Sequence, residues 1–116
     1  TVLTVDLSVA TETPKVWSAE EVKEYAIQIA DEYGLHKQRF LATLDCENHF
    51  NAKGQSQHYS NGKREQSFGS VQINLPSHAG ITQEMAEDPY FALPWMAKKW
   101  LAGDAKIWSC WRLLPS

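Results

Sequence analysis

The sequence has few of the patterns that would assign it quickly. It holds two cysteines, Cys46 and Cys110. That is too few for the dense disulfide framework of a small secreted scaffold, and they lack the paired spacing of a zinc ribbon or redox C-x-x-C. No stretch approaches the roughly 20 apolar residues needed to span a bilayer. Basic residues are not in excess: 11 Lys and Arg against 14 Asp and Glu give a net charge of −3. This argues against a nucleic-acid partner, whose phosphates call for a basic surface. The histidines His36, His49, His58 and His78 have no ligand spacing such as H-E-x-x-H, so no metal or cofactor is expected. There is no phosphate-cradling loop, nucleophilic triad, internal repeat or low-complexity tract.

What is present suffices for one ordinary core. A chain of 116 residues is about one domain, and folding at that size buries roughly two-thirds of the unfolded surface. Apolar residues at 43 % and charged residues at 22 % fit a globular domain rather than a disordered tail. Tryptophan is over-represented, with five Trp beside four Tyr and four Phe. Either the core is unusually aromatic, or some rings face a ligand.

Residues 1–16 read as an extended arm without helical period, and 17–116 as the folded domain. The absence of a basic–apolar leader suggests a mature or trimmed form. Ser18 and Glu21 have capping-box spacing and open a first helix. Val22, Tyr25, Ala26, Ile29, Ala30 and Tyr33 form its apolar stripe, and Gly34 stops it. A second helix is expected from about Lys37 to Asn48, with Phe40, Leu41 and Leu44 inward. Residues 51–65 form a polar loop, with or without a short hairpin. Asp88-Pro89 starts a third helix running to Leu101, apolar nearly all round and therefore central. Gly103 ends it, and Asp104 caps a last short helix over residues 105–112. Trp95 and Trp100 lie on the central helix and are expected inside. Trp17 leads into the first helix, leaving Trp108 and Trp111 as candidates for a cleft. The fold class is α+β, predominantly α-helical, with a small polar loop or hairpin region in the middle.

The sharpest departure from local pattern is Glu47. Continuing the buried face of the second helix from Phe40 lands on this carboxylate. At the C-terminal end of a helix it meets the negative pole of the macrodipole, and burial removes its water. Both effects favour the protonated form. A carboxyl group kept protonated near neutral pH can serve as a general acid. The plainer account is a solvated residue just past a fraying helix end.

The run Leu41-Ala42-Thr43-Leu44-Asp45-Cys46-Glu47-Asn48-His49-Phe50-Asn51 resembles the catalytic-helix end of soluble lytic transglycosylases, relatives of goose-type lysozyme. In that family an apolar helix leads into Glu-Ser-x-Phe-Asn. Ser67-Phe68-Gly69-Ser70-Val71-Gln72-Ile73 is similar to the family's Ser-x-Gly-Leu-Met-Gln-Ile segment. Asp88-Pro89-Tyr90-Phe91-Ala92-Leu93 is similar to its Asp-Pro helix start. The matches fall in family order and cover roughly residues 18–112. Asn48 replaces the usual Ser and Val71 the usual Met. Ile107-Trp108-Ser109-Cys110-Trp111 stands where an Ala-Tyr-Asn motif would supply a Tyr that orients the Glu.

The resemblance implies a lysozyme-like fold and cleavage of the β-1,4 bond from N-acetylmuramic acid to N-acetylglucosamine in peptidoglycan, with a 1,6-anhydro product. Glu47 would be the catalytic acid and then base. Asn48, Ser67, Gln72 and Trp108 would contact substrate. Gln72 could both donate to and accept from an N-acetyl sugar or merely tie down its loop, and Trp108 could line the cleft or fill the core. Gly69 would let the backbone approach a neighbouring helix or the sugar. The resemblance also implies a monomer outside the cytoplasm: periplasmic, secreted or phage-delivered. That compartment favours a Cys46–Cys110 disulfide over two free thiols and would clamp the catalytic helix end.

Two other readings stay open. A hydrolase of the same bond normally needs a second carboxylate, and Glu65 is the candidate, although a loop charge among Lys63, Arg64 and Gln66 is most simply solvated. A non-catalytic glycan-binding module would keep the fold and lose the chemistry.

Overall fold

The computed structural model describes residues 15–114. Most of the arm expected over residues 1–16 lies outside them. Helix α1 (Ala19–Tyr33) begins with both bonds of the expected capping box. Ser18 Oγ accepts from the Glu21 N–H at 3.1 Å, and Glu21 Oε1 accepts from the Ser18 N–H at 2.9 Å. Gly34 closes the helix in the left-handed conformation at φ 67°, which costs a glycine little. Two residues later His36 caps α2 (Lys37–Asn48), its Nδ1 accepting from the Arg39 N–H. The turn between them is short enough to fold α2 back against α1.

The polar middle is built from two small antiparallel ladders. Strands β1 (Tyr59–Ser60) and β2 (Lys63–Arg64) pair across Asn61-Gly62, both at positive φ. Asn-Gly suits that two-residue hairpin because both central positions require left-handed backbone. Strands β3 (Ser67–Phe68) and β4 (Ile73–Asn74) pair next, followed by a 3₁₀ turn at Leu75–Ser77. Short helix α3 (Gln83–Ala86) leads to α4 (Pro89–Leu101), which Asp88 caps by accepting from the Tyr90 N–H, with Pro89 in the first turn. The chain is thus predominantly helical α+β. The single last helix expected over residues 105–112 is in fact two pieces, a 3₁₀ turn at Ala105–Ile107 and α5 (Ser109–Leu113). Asp104 makes no side-chain cap bond.

Helix α1 packs against both α2 and α4, and α2 against α5. Val22, Ala26 and Ile29 meet Phe40, Leu44, Leu93 and Met96 in one continuous core, which Val71 and Ile73 join from the ladders. Burying each of the larger side chains contributes about 1.5–3 kcal/mol. The backbone approaches most closely at Gly69, where φ is 86° and a Cβ would fall on the Ala86 carbonyl. The glycine therefore serves the contact between the β3–β4 turn and the end of α3.

One disulfide, Cys46–Cys110, joins the end of α2 to the start of α5, with Cα atoms 5.9 Å apart. No helix among the described residues is long and apolar enough to cross a membrane.

Candidate active site

Glu47 occupies the last turn of α2, one residue before the helix ends, and is half-buried. Its Oε2 accepts a hydrogen bond from the Cys110 N–H at 3.2 Å. That N–H belongs to the first turn of α5, where backbone donors have no partner within the helix, and Trp108 at the cap supplies no side-chain acceptor. The Glu47 carboxyl takes one such donor. The donor is a backbone N–H, so it carries no signature in the sequence.

Burial is the largest influence on Glu47 and pushes its pKa above the ordinary carboxyl value. The Cys110 hydrogen bond pulls the other way, Glu65 adds to the rise, and Arg112 opposes it. The net direction is the one a proton donor needs near neutrality.

Two cavities meet at this carboxyl. One, of about 480 Å³, is walled by Trp95, Trp108, Ile107 and His78, with Asn74 and Ser77 at its edge. The other, of about 770 Å³, is polar and runs past Asn48, His49, Gln55, His58 and Arg64. Glu47, Glu65, Gln72 and Ser109 line both. The result is a groove with an acidic pair at its waist, large enough on each side for a ligand fragment.

Glu65 is not the freely solvated loop charge that its basic neighbours suggested. It is half-buried, and its Oε2 accepts from Ser67 Oγ at 2.6 Å. Asn74 Nδ2 in turn donates to Ser67 Oγ at 3.2 Å. The Glu65 backbone carbonyl accepts from Gln55 Nε2 at 2.9 Å. A carboxylate restrained from both its backbone and its side chain holds one position in the groove.

The other residues singled out from sequence divide by what their polar atoms already bind. Ser67 is almost fully buried and acts on Glu65. The Asn48 amide nitrogen donates to the carbonyls of Asn51, Lys53 and Gly69, so this side chain knots the loop behind the site. Gln72 sits at φ 55° and donates to the carbonyls of Gly54 and Gly69, while its side chain still borders both cavities. Trp108 combines both expected roles. It is buried, donates from Nε1 to the Val71 carbonyl at 2.8 Å, and presents the rest of its edge to the groove.

Three aromatic expectations need correction. Trp95, expected inside, is only half-buried: it packs against the core on one side and forms a groove wall on the other. Trp111 lies outside the groove lining, its ring under the Arg39 guanidinium at 5.0 Å. Trp100 is likewise half-buried, packed edge-on to the core residue Phe40.

Among the described residues no cluster of His, Cys, Asp and Glu could hold a metal ion. Comparison with protein-family models, with curated proteins and with solved structures finds no match.

Proposed function

We propose that this chain cleaves the β-1,4 bond between N-acetylmuramic acid and N-acetylglucosamine in peptidoglycan as a lytic transglycosylase with a lysozyme-like fold. One observation carries the reading. A half-buried carboxyl group, biased toward its protonated form and held by the Cys110 N–H, sits where two cavities join. A glycan lying along both cavities would place a glycosidic oxygen beside Glu47. Glu47 would protonate that oxygen as the bond to the anomeric carbon breaks. The carboxylate left behind would take the proton of the sugar's own 6-hydroxyl as it attacks that carbon. A 1,6-anhydro ring closes, no water is consumed, and Glu47 ends protonated as it began.

The position of Glu65 favours a second reading, hydrolysis of the same bond. A restrained carboxylate sharing the groove with the acid could stabilise the developing positive charge or activate water. Mass spectrometry of purified peptidoglycan after digestion separates the two. Anhydro ends mean transglycosylation, and reducing ends mean hydrolysis. Glycan binding without any cleavage would leave a binding module instead. Glu47→Gln serves as the control and should release no product. On this reading the Cys46–Cys110 disulfide and a wall substrate both fit a location outside the cytoplasm, where the chain would act as a monomer.

A further inference from the structure

Trp95 and His78 have no part in the acid–base chemistry, yet both face the groove. Trp95 is fixed on three sides. His78 stands edge-on to its ring at 4.9 Å, Trp108 edge-on at 5.9 Å, and Lys99 Nζ lies over it at 5.5 Å from the centroid. The hydrogen bond from Trp108 to the Val71 carbonyl fixes the second of these neighbours in turn. A large ring held in one pose loses little conformational freedom when a ligand settles against it. The ring packs on the core from one side, beside buried Leu93 and Met96, and keeps its remaining apolar surface on the groove.

The chemistry around the ring narrows what it can bind. Burial and the nearby Lys99 hold the His78 pKa below its ordinary value, so the imidazole is neutral near neutral pH. A neutral imidazole offers one donor and one acceptor, as a hydroxyl or acetamido group requires. Asn74 and Ser77 at the rim are bound to one another, Ser77 donating through both its N–H and its Oγ to Asn74 Oδ1. An aromatic wall beside an uncharged donor–acceptor pair suits the apolar C–H face and polar edge of a pyranose.

We infer that Trp95, with His78 at its edge, forms a sugar subsite for one uncharged N-acetylhexosamine unit next to the Glu47 carboxyl. The inference rests on the proposed glycan-cleaving reading and names a specificity element that reading does not require. Binding is measured with chitotetraose, a neutral β-1,4-linked N-acetylglucosamine oligomer. The Glu47→Gln protein is the host, so that no turnover intervenes. Adding Trp95→Ala should weaken the dissociation constant about tenfold or more, whereas Trp95→Phe, which keeps an aromatic face, should retain most of the affinity. In the unsubstituted background of the same Glu47→Gln host, the Trp95 indole N–H resonance should shift on titration. An unchanged dissociation constant in Trp95→Ala, a silent indole resonance, or no binding at all would overturn the subsite. The two readings fail separately. Trp95-dependent binding without cleavage keeps the subsite and removes the enzyme; cleavage of peptidoglycan with chitotetraose affinity indifferent to Trp95 does the reverse.

Discussion

Glu47 and Cys110 are joined twice over. The Cys110 N–H donates to the Glu47 carboxyl at 3.2 Å, and the Cys110 sulfur is bonded to Cys46, the residue immediately before Glu47. The covalent link fixes the spacing of the two backbones, and the hydrogen bond uses that spacing to orient the Glu47 carboxyl. Orientation of the key carboxyl therefore depends on α5, at the far end of the chain from α2 in sequence.

Separating Cys46 from Cys110 should injure both stability and turnover. With the two cysteines 64 residues apart, the paired substitution Cys46→Ser/Cys110→Ser is expected to cost about 4 kcal/mol on the chain-entropy account. Urea midpoints measure that loss. Steady-state kinetics on the folded fraction should show kcat falling more than KM rises, because the groove walls remain while the acid loses its aim.

Replacing Glu47 by Gln should remove activity and add stability at neutral pH. The loss of general acid catalysis is expected to be about 100- to 10,000-fold. The stability effect follows from the raised pKa. Folding favours the protonated carboxyl, so its contribution is complete below the ordinary carboxyl pKa and is lost as pH rises through the folded value. Gln is never ionised and escapes that loss. The variant's Tm should exceed that of the parent near pH 7, with the advantage fading in acid. Equal Tm values at both pH extremes would show that Glu47 ionises at no cost.

The charge of Glu65 helps to hold the Glu47 proton in place. Glu65→Gln should therefore let the Glu47 pKa fall toward its usual value. Because Glu47 must be protonated to act as acid, the alkaline limb of the pH–rate profile should move to lower pH. A profile that keeps its alkaline limb would mean that the two carboxylates do not sense one another. Ser67→Ala tests the support beneath Glu65, and should reduce kcat while leaving Glu65 in the chain.

Gly69 admits no side chain. Alanine there must hold a φ of 86° and displace the Ala86 carbonyl. Left-handed strain and overpacking each cost about 1–3 kcal/mol, so Gly69→Ala should be poorly folded or lower Tm by many degrees. Near-parental stability would mean that the β3–β4 turn can lift away from α3.

What the sequence made legible was governed by local rules. The Ser18–Glu21 capping box, the Gly34 stop and the Asp88-Pro89 start all act within a few residues, and each is found where its pattern places it. Glu47 stood out because a charge interrupted a helical face. The rest of the site depends on contacts between distant segments. The Cys110 donor is a backbone N–H, which every residue but proline possesses. Trp95 sits in a run apolar all round, so no periodicity could tell which ring faced outward. The Glu65 position is set by Ser67, Asn74 and Gln55 through folded geometry, against neighbours in sequence that suggested a solvated charge.

Every side chain that lines the two cavities, from Glu47 to Ser109, lies between Cys46 and Cys110. The disulfide thus turns the whole groove into a single covalent ring. A protease cutting the exposed hairpin at Gly62 or Lys63 opens that ring without releasing a piece. The two fragments stay tethered through sulfur and part only when a reductant is added. A severed loop therefore leaves the groove-bearing chain in one covalent piece.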